Sequence, residues 1–272
     1  MSKFPLMEKS FNFKLKEVCQ SKNSVLCIGL DIDADRMSND FSPTLENLES
    51  FSKDVVDCTV DFCPVYKINL GFYERYGSAG VSWMERLLVH IQHRSIVIAD
   101  GKRGDIGNTA KQYAKSLFDT FEFDAATVSP YMGRDSITPF AEYPEKGAFI
   151  LCLTSNSGSE DFQFLKSGDR YIYQTVADLV KDLNLHNNLG LVVGATHPNR
   201  MRELRSRTEN LSWLIPGVGA QGGDLASSVN IGNANGTALI NVSRGILYSG
   251  DSTQDSIRES ALKYTKTIQE NL

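Results

Sequence analysis

The chain has 272 residues, 41% of them hydrophobic, and a formal net charge of -5. This length can bury a full core and is usual for one α/β barrel domain. The negative net charge gives no broad basic surface, which argues against nucleic acid as a partner. A small anionic ligand would have to be bound by a few placed cations.

The cysteines and the apolar runs indicate the cellular setting. Five cysteines are an odd number, and neither a disulfide framework nor a zinc spacing is visible among them. The first nine residues are interrupted by charge, and no stretch of about 18 apolar residues occurs. We therefore expect a cytoplasmic protein without a membrane partner.

Strands and helices are predicted to alternate along the chain. An amphipathic helix over 10–22 comes first, in a segment (1–23) that we expect to cover the bottom of a barrel. Apolar runs typical of buried strands then lie at 25–31, 62–69, 95–98, 125–129, 147–154, 189–194, 211–215 and 238–242. Helical patterns lie between many of these runs. One begins at an N-cap Ser42 and ends near Val60, and another ends near His90. Further helices are predicted over 108–121, 170–183 and 252–270, and a short one after Gly133.

Eight such strands predict an α/β fold, a single (β/α)₈ TIM barrel that spans residues 1–272. A doubly wound open sheet is the alternative. It is disfavoured because the distinctive polar residues follow many strands instead of surrounding one switch point.

The segment from Asp100 to Ile106 follows the third strand and carries charges of alternating sign. In an extended chain, Asp100 and Lys102 face the same side, and Gly104 allows a turn that brings Asp105 near them. A structural interpretation is also open, in which Lys102 simply pairs with Asp100 and Asp105 caps the helix that starts near residue 108.

In a barrel of this kind, the active site lies at the carboxyl ends of the strands. The residues predicted there are Asp31, Lys67, Asp100, Lys102, Ser155, Gln221 and Arg244. Any one of them is commonly a cap or a solvated turn residue, but seven together favour a site. A fixed ammonium such as that of Lys102 would stabilise negative charge that develops in a transition state. Arg244 and the glycine-rich segment 216–223 have the donors that a phosphate needs.

Over nearly its whole length the chain resembles the orotidine 5′-phosphate decarboxylase family, in particular its longer bacterial branch. The resemblance rests on the stretch from Asp100 to Thr109 (DGKRGDIGNT), supported by Lys67, Arg244 and the PGVG motif at 216–219. It implies conversion of orotidine 5′-phosphate to uridine 5′-phosphate, the last step of de novo pyrimidine synthesis, with no metal and no organic cofactor. It also implies a homodimer whose active sites are shared between subunits.

The resemblance further implies a role for each matching residue. Lys102 would protonate C6 of the substrate, Asp100 would lie beside its carboxylate, and Lys67 would link Asp100 to the ribose. Asp105 and Thr109 would reach the neighbouring subunit's site. The substrate would be bound at the ribose by Asp31, at the pyrimidine edge by Ser155, and at the phosphate by Gln221 and Arg244. Ser129 departs from the asparagine more usual in this branch, so position 129 has no assigned role.

Three other functions are compatible with such a barrel. One is a Mg²⁺-dependent sugar-phosphate decarboxylase or epimerase, which would need an acid where this chain has Lys67. Another is an aldolase with a Schiff-base lysine, which neighbouring acids disfavour. The third is a non-catalytic phosphate-binding barrel, which would not need so complete a set of charges.

Overall fold

Eight parallel strands form a closed barrel in the computed structural model, which describes residues 10–38, 40–219 and 222–272. The strands follow one another around the barrel in the order β1-β10-β9-β8-β5-β4-β3-β2, and β1 closes it by pairing with both β2 and β10. The barrel strands are β1 (Leu26–Gly29), β2 (Val65–Asn69), β3 (Ile96–Arg103), β4 (Ala125–Val128), β5 (Gly147–Leu153), β8 (Leu189–Val193), β9 (Ser212–Ile215) and β10 (Ala238–Val242). The TIM barrel is therefore confirmed, and the doubly wound sheet is excluded.

Helices surround the barrel and connect its strands. They are α1 (Phe11–Ser21), α2 (Leu45–Asp57), α3 (Gly71–Glu74), α4 (Gly77–Ile91), α5 (Gly107–Lys115), α6 (Arg134–Ala141), α7 (Ile172–Leu183), α8 (Pro198–Arg207), α9 (Leu225–Asn233), α10 (Arg244–Leu247) and α11 (Gln254–Gln269). A π-helical turn, Ser116–Thr120, continues α5, and 3₁₀ turns lie at Ala34–Arg36 and Ser157–Asp161. None of the helices in the described ranges is long and apolar enough to cross a membrane.

Some local predictions were wrong. The helix predicted to begin at Ser42 has Thr44 as its N-cap, whose hydroxyl accepts a hydrogen bond from the Asn47 amide. The sequence patterns did not reveal α8 or α9, and they did not reveal the two-stranded hairpin of β6 (Lys166–Ser167) and β7 (Arg170–Tyr171). Four of the ten residues of α8 are arginines, so its sequence lacks a broad apolar stripe.

The core lies inside the barrel and between the barrel and its helices. Every residue of β1, β4, β8, β9 and β10 is buried, which explains their nearly continuous apolar sequences. Between helices, the buried Trp83 on α4 donates a hydrogen bond from Nε1 to Ser52 Oγ on α2 (3.0 Å). This packing fixes the strands, and the strand ends carry the candidate site.

Helix α1 contacts chain segments that precede barrel strands. The Phe11 amide donates to Pro144 O (2.9 Å), ahead of β5, and the Asn12 amide donates to Asn187 O (3.2 Å), ahead of β8. Just after α1, Lys22 Nζ donates to the main-chain oxygens of Val60, Cys63 and Arg94 at 2.6, 2.9 and 2.7 Å. That residues 1–23 as a whole cover the barrel bottom stays a prediction, because residues 1–9 lie outside the described ranges.

Candidate active site

A buried ion network lies at the carboxyl ends of β1, β2 and β3. Lys67 is the third of the five residues of β2, and its Nζ lies 2.9 Å from Asp100 Oδ2 on β3 and 3.3 Å from Asp31 Oδ1 beyond β1. The Lys67 side chain is 4% exposed and that of Asp100 is 11% exposed. A buried ammonium with two carboxylate partners is held in one place, so the network is a rigid element of the barrel rim.

The network keeps its members charged. Burial alone would lower the pKa of Lys67, but the carboxylates of Asp31 and Asp100 outweigh it and raise the pKa above its ordinary value of 10.5. Burial would likewise raise the pKa of Asp100, but the Lys67 and Lys102 ammonium groups lower it below its ordinary 3.8. Lys67 is therefore a poor candidate for a neutral Schiff-base nucleophile, which would need a lowered pKa.

Lys102 extends the network into the open end of the barrel, which we call the mouth. Its Nζ lies 2.7 Å from Asp100 Oδ1, and its side chain is 50% exposed. The contact with Asp100 was predicted, but from an extended backbone, whereas Lys102 has a φ of 46° in the left-handed region. This conformation costs energy for a residue other than glycine. Asp100 thus holds the ammonium itself, and the half-exposed side chain leaves it reachable from the mouth.

The sequence interpretation missed Thr127, the third residue of β4. Its hydroxyl donates to Asp100 Oδ1 (2.9 Å) and accepts from the Lys102 amide (2.9 Å). Thr127 is buried, at 1% exposure. A threonine is common in any strand, so only its position one residue before the carboxyl end of β4 could have drawn attention to it.

The segment after β1 is fixed by contacts on both sides of Asp31. Tyr248 Oη donates to Asp31 O (3.1 Å) and accepts from the Asp33 amide (2.7 Å), while Tyr73 Oη donates to Leu30 O (2.9 Å). Gly29 allows a close approach here, because a Cβ at this position would lie 2.9 Å from the Cβ of Ser243. Asp31 is therefore placed by main-chain contacts that the sequence pattern did not reveal.

A glycine turn and an arginine lie at the ends of β9 and β10, which are neighbours in the barrel. Gly217, Gly219 and Gly222 have φ values of 91°, 70° and 82°, which glycine adopts without strain. Arg244 is the first residue of α10 and is exposed; no hydrogen bond or ion pair joins its guanidinium to another residue of the described ranges. Gln221, the other predicted phosphate ligand, lies outside those ranges.

Three further predicted residues lie in the segments that follow β3 and β5. Asp105 Oδ1 accepts from the Ile106 amide (2.7 Å), and within the described part of the chain no hydrogen bond or ion pair joins it to Asp100 or Lys102. Nor does Asp105 cap α5, whose N-cap is Ile106. Thr109 is exposed in the first turn of α5, and Ser155 is partly buried two residues beyond β5. The structure thus joins Asp31, Lys67, Asp100 and Lys102 directly, and within the described ranges no hydrogen bond or ion pair links Asp105 or the Arg244 guanidinium to them.

Comparison with known proteins points to one family. The profile of the orotidine 5′-phosphate decarboxylase / HUMPS family matches residues 24–258. The orotidine 5′-phosphate decarboxylase of Dehalococcoides mccartyi (strain CBDB1) is 46% identical over 242 residues, which cover 87% of this chain and 88% of that protein. The enzyme of Roseiflexus sp. (strain RS-1) is 42% identical over 251 residues, 90% of this chain and 92% of that protein.

A solved structure extends the similarity to the fold. The OMP decarboxylase of Leishmania donovani superposes with a TM-score of 0.85 at 36% identity, over 96% of this chain and 98% of that chain. The family profile spans all eight barrel strands and the whole ion network of Asp31, Lys67, Asp100 and Lys102. This chain therefore belongs to the orotidine 5′-phosphate decarboxylase / HUMPS family.

Proposed function

We propose that the protein decarboxylates orotidine 5′-phosphate to uridine 5′-phosphate, the last step of de novo pyrimidine synthesis. The observation that carries this proposal is the contact between Asp100 and both Lys67 and Lys102, which fixes an ammonium at the barrel mouth. Relatives named as orotidine 5′-phosphate decarboxylases align with the chain over this region and most of its length.

Lys102 is the proton donor in this proposal. The bond between C6 of the pyrimidine and the carboxylate carbon breaks, CO₂ leaves, and the electron pair stays on C6. The Lys102 ammonium stabilises that developing charge and then transfers a proton from Nζ to C6. Its half-exposed side chain supports the role, because a proton donor must be able to reach the substrate.

Three further residues support the proton transfer: Asp100, Lys67 and Asp31. The Asp100 carboxylate lies beside the substrate carboxylate and orients Lys102. Lys67 compensates the charge of Asp100 and links it to Asp31, which binds the ribose. The buried ion pairs at 2.9 and 3.3 Å support these roles because they make the three groups one preorganised unit.

The phosphate and the base are bound by residues that follow other strands of the barrel. Arg244 and Gln221 bind the phosphate together with main-chain amides of the glycine turn, and Ser155 binds the pyrimidine edge. An exposed arginine with no ionic partner in the described ranges supports this assignment, since its bidentate donors are available to a phosphate.

The proposal includes a homodimer in which Asp105 and Thr109 complete the partner's site. Exposed apolar side chains follow three adjacent strands at the mouth: Ile106 after β3, Tyr131 and Met132 after β4, and Phe162 and Leu165 after β5. The Tyr131 and Phe162 rings are in contact, 6.2 Å between centroids. Exposed apolar side chains beside the site, two of them in contact, favour a second copy of the chain as their cover.

We further propose that the enzyme is cytoplasmic and requires neither a metal nor an organic cofactor. All five cysteines are free and buried thiols, as is usual where thiols stay reduced. The Mg²⁺-dependent alternative is disfavoured by Lys67, because a divalent cation near Asp31 and Asp100 would face an ammonium that already contacts one oxygen of each carboxylate.

The test is an ultraviolet assay of the purified protein with orotidine 5′-phosphate. We expect loss of the orotate absorbance and formation of uridine 5′-phosphate, at the same rate before and after dialysis against a chelator. A rate that falls on dialysis and returns with Mg²⁺ would favour the sugar-phosphate alternative. No loss of absorbance would overturn the proposed function.

A further inference from the structure

The pairing between β3 and β4 is irregular where the reactive residues lie. Ala99 pairs with Ala126, and the next pair is Arg103 with Val128. Three residues of β3, from Asp100 to Lys102, therefore lie opposite the single residue Thr127 of β4. A bulge of this kind redirects a side chain and leaves main-chain groups without their usual ladder partners.

Thr127 supplies a partner inside that bulge. The Lys102 amide donates to Thr127 Oγ1 at 2.9 Å, so a side chain takes the place of a strand carbonyl. The same residue, Lys102, has the unfavourable φ of 46°. A conformation of this kind persists only where the surrounding structure holds it, and this hydrogen bond is one contact that does so.

The Thr127 hydroxyl also donates a hydrogen bond to Asp100. Thr127 Oγ1 donates to Asp100 Oδ1 at 2.9 Å, and this oxygen also accepts from Lys102 Nζ at 2.7 Å. One hydroxyl thus contacts the Lys102 main chain and the carboxylate that holds the Lys102 ammonium. Because Thr127 is buried, water is not available there to replace it.

We infer that Thr127 is a positioning residue for the decarboxylation, an inference that rests on the proposed function. It acts through Lys102 and Asp100 by fixing the backbone and the ammonium of Lys102 relative to one carboxylate oxygen. Its contribution is made at the proton donor, away from the phosphate ligands. Loss of the hydroxyl should therefore lower kcat and leave KM nearly unchanged.

Two matched pairs of side chains isolate the hydroxyl. Thr127→Val keeps the shape and removes both hydrogen bonds, and we expect its kcat to fall roughly 10- to 100-fold. Thr127→Ser keeps the hydroxyl and should retain kcat within about threefold. Alanine has nearly the volume of serine but no hydroxyl, so the kcat of Thr127→Ala should fall as much as that of Thr127→Val. If the valine variant does not fold, the serine and alanine variants decide the question.

Thr59→Val is the control for general destabilisation. Thr59 is buried beyond the end of α2, and its hydroxyl is 2.6 Å from Val55 O and 2.7 Å from Tyr66 Oη. This variant should lose thermal stability and keep its kcat. The inference is overturned if Thr127→Val keeps its kcat, if Thr127→Ser is impaired as strongly as Thr127→Val, or if Thr59→Val loses kcat equally.

A second readout does not depend on the substrate. Hydrogen exchange at the Lys102 amide should be slow in the wild type and in Thr127→Ser, and faster in Thr127→Val. Unchanged exchange in the valine variant would overturn the role of Thr127 even in an active enzyme. A wild type that leaves orotidine 5′-phosphate intact would overturn the proposed function instead, and the exchange result would still show whether Thr127 holds Lys102.

Discussion

Asp100 Oδ2 and Lys67 Nζ lie 2.9 Å apart in a region from which water is nearly excluded. Each group shifts the other toward its charged form, so the pKa of Asp100 lies below 3.8 and that of Lys67 above 10.5. The pair therefore stays ionised throughout the physiological range, and its dependence on pH falls outside that range.

The first prediction concerns stability against pH. A carboxyl with a lowered pKa in the folded state contributes stability that is complete above its unfolded pKa and is lost as the pH falls toward the folded value. The difference in unfolding free energy between the wild type and Asp100→Asn should therefore be constant above about pH 5 and shrink below about pH 4. Urea unfolding at several pH values measures it. A difference that persists undiminished to about pH 2 would contradict the lowered pKa.

For Lys67, the dependence of stability on pH has the opposite sign. The raised pKa of Lys67 contributes stability that is complete below 10.5, the unfolded value, and is lost only as the pH rises through the higher folded value. We therefore expect that neither group produces a limb in the activity profile between roughly pH 5 and 9.

The second prediction is that Lys102→Ala abolishes turnover and leaves the protein folded. Removal of the proton donor and of the cation at the carbanion should lower kcat at least roughly 1000-fold. The ultraviolet assay measures the rate, and thermal unfolding checks the fold. Lys111→Ala, which alters an exposed lysine on α5, is the matched control and should keep full activity. Comparable turnover by Lys102→Ala would remove Lys102 from the mechanism.

The third prediction separates phosphate binding from the chemical step. Arg244→Ala should raise KM roughly 100-fold, because it removes charged hydrogen bonds to the phosphate. Some loss of kcat is expected if phosphate binding drives closure of the glycine turn. Arg202→Ala, on the exposed surface of α8, is the control. If the wild type used unphosphorylated orotidine as well as the nucleotide, Arg244 would be misassigned.

The fourth prediction tests whether two subunits share each site. Inactive Lys102→Ala and inactive Asp105→Ala should form hybrids in which both lesions fall in one site and the other site is wild type. With random reassortment about half of the dimers are hybrids, so activity should recover to roughly a quarter of the wild type.

The matched control mixes Lys102→Ala with Lys67→Ala. Lys67 and Lys102 of one chain belong to one ion network with Asp100, so every site in that mixture carries a lesion and activity should stay absent. If the first mixture also stays inactive while subunit exchange is demonstrated, Asp105 acts within its own chain.

The sequence was sufficient to predict the barrel because each strand is a short apolar run that ends in a polar residue. The link between Lys67 and Asp100 was implied by the family resemblance, and their strands are adjacent and parallel in the barrel. The left-handed backbone of Lys102 could not be predicted, because it depends on the register between β3 and β4. The role of Thr127 follows from that register as well.

Local signals failed where tertiary contacts decide the outcome. Ser42 followed by Pro43 is a regular helix start, yet α2 begins three residues later at Leu45 with Thr44 as its cap. Tyr248 lies more than 200 positions from the Asp31 main chain that it fixes, so no pattern around either residue could indicate the contact.

The pairing of β1 with β10 also sets the order in which this protein can be completed. Leu26 pairs with Ile240, so the first barrel strand to be synthesised gains its second neighbour only after nearly the whole chain has been made. Until then β1 and β9 are open edges that can pair with other chains. Asp31 and Arg244 follow the two strands that meet at this seam. The proposed nucleotide site is therefore complete only once β10 has closed the barrel, and a nascent chain without β10 lacks both the closed barrel and Arg244.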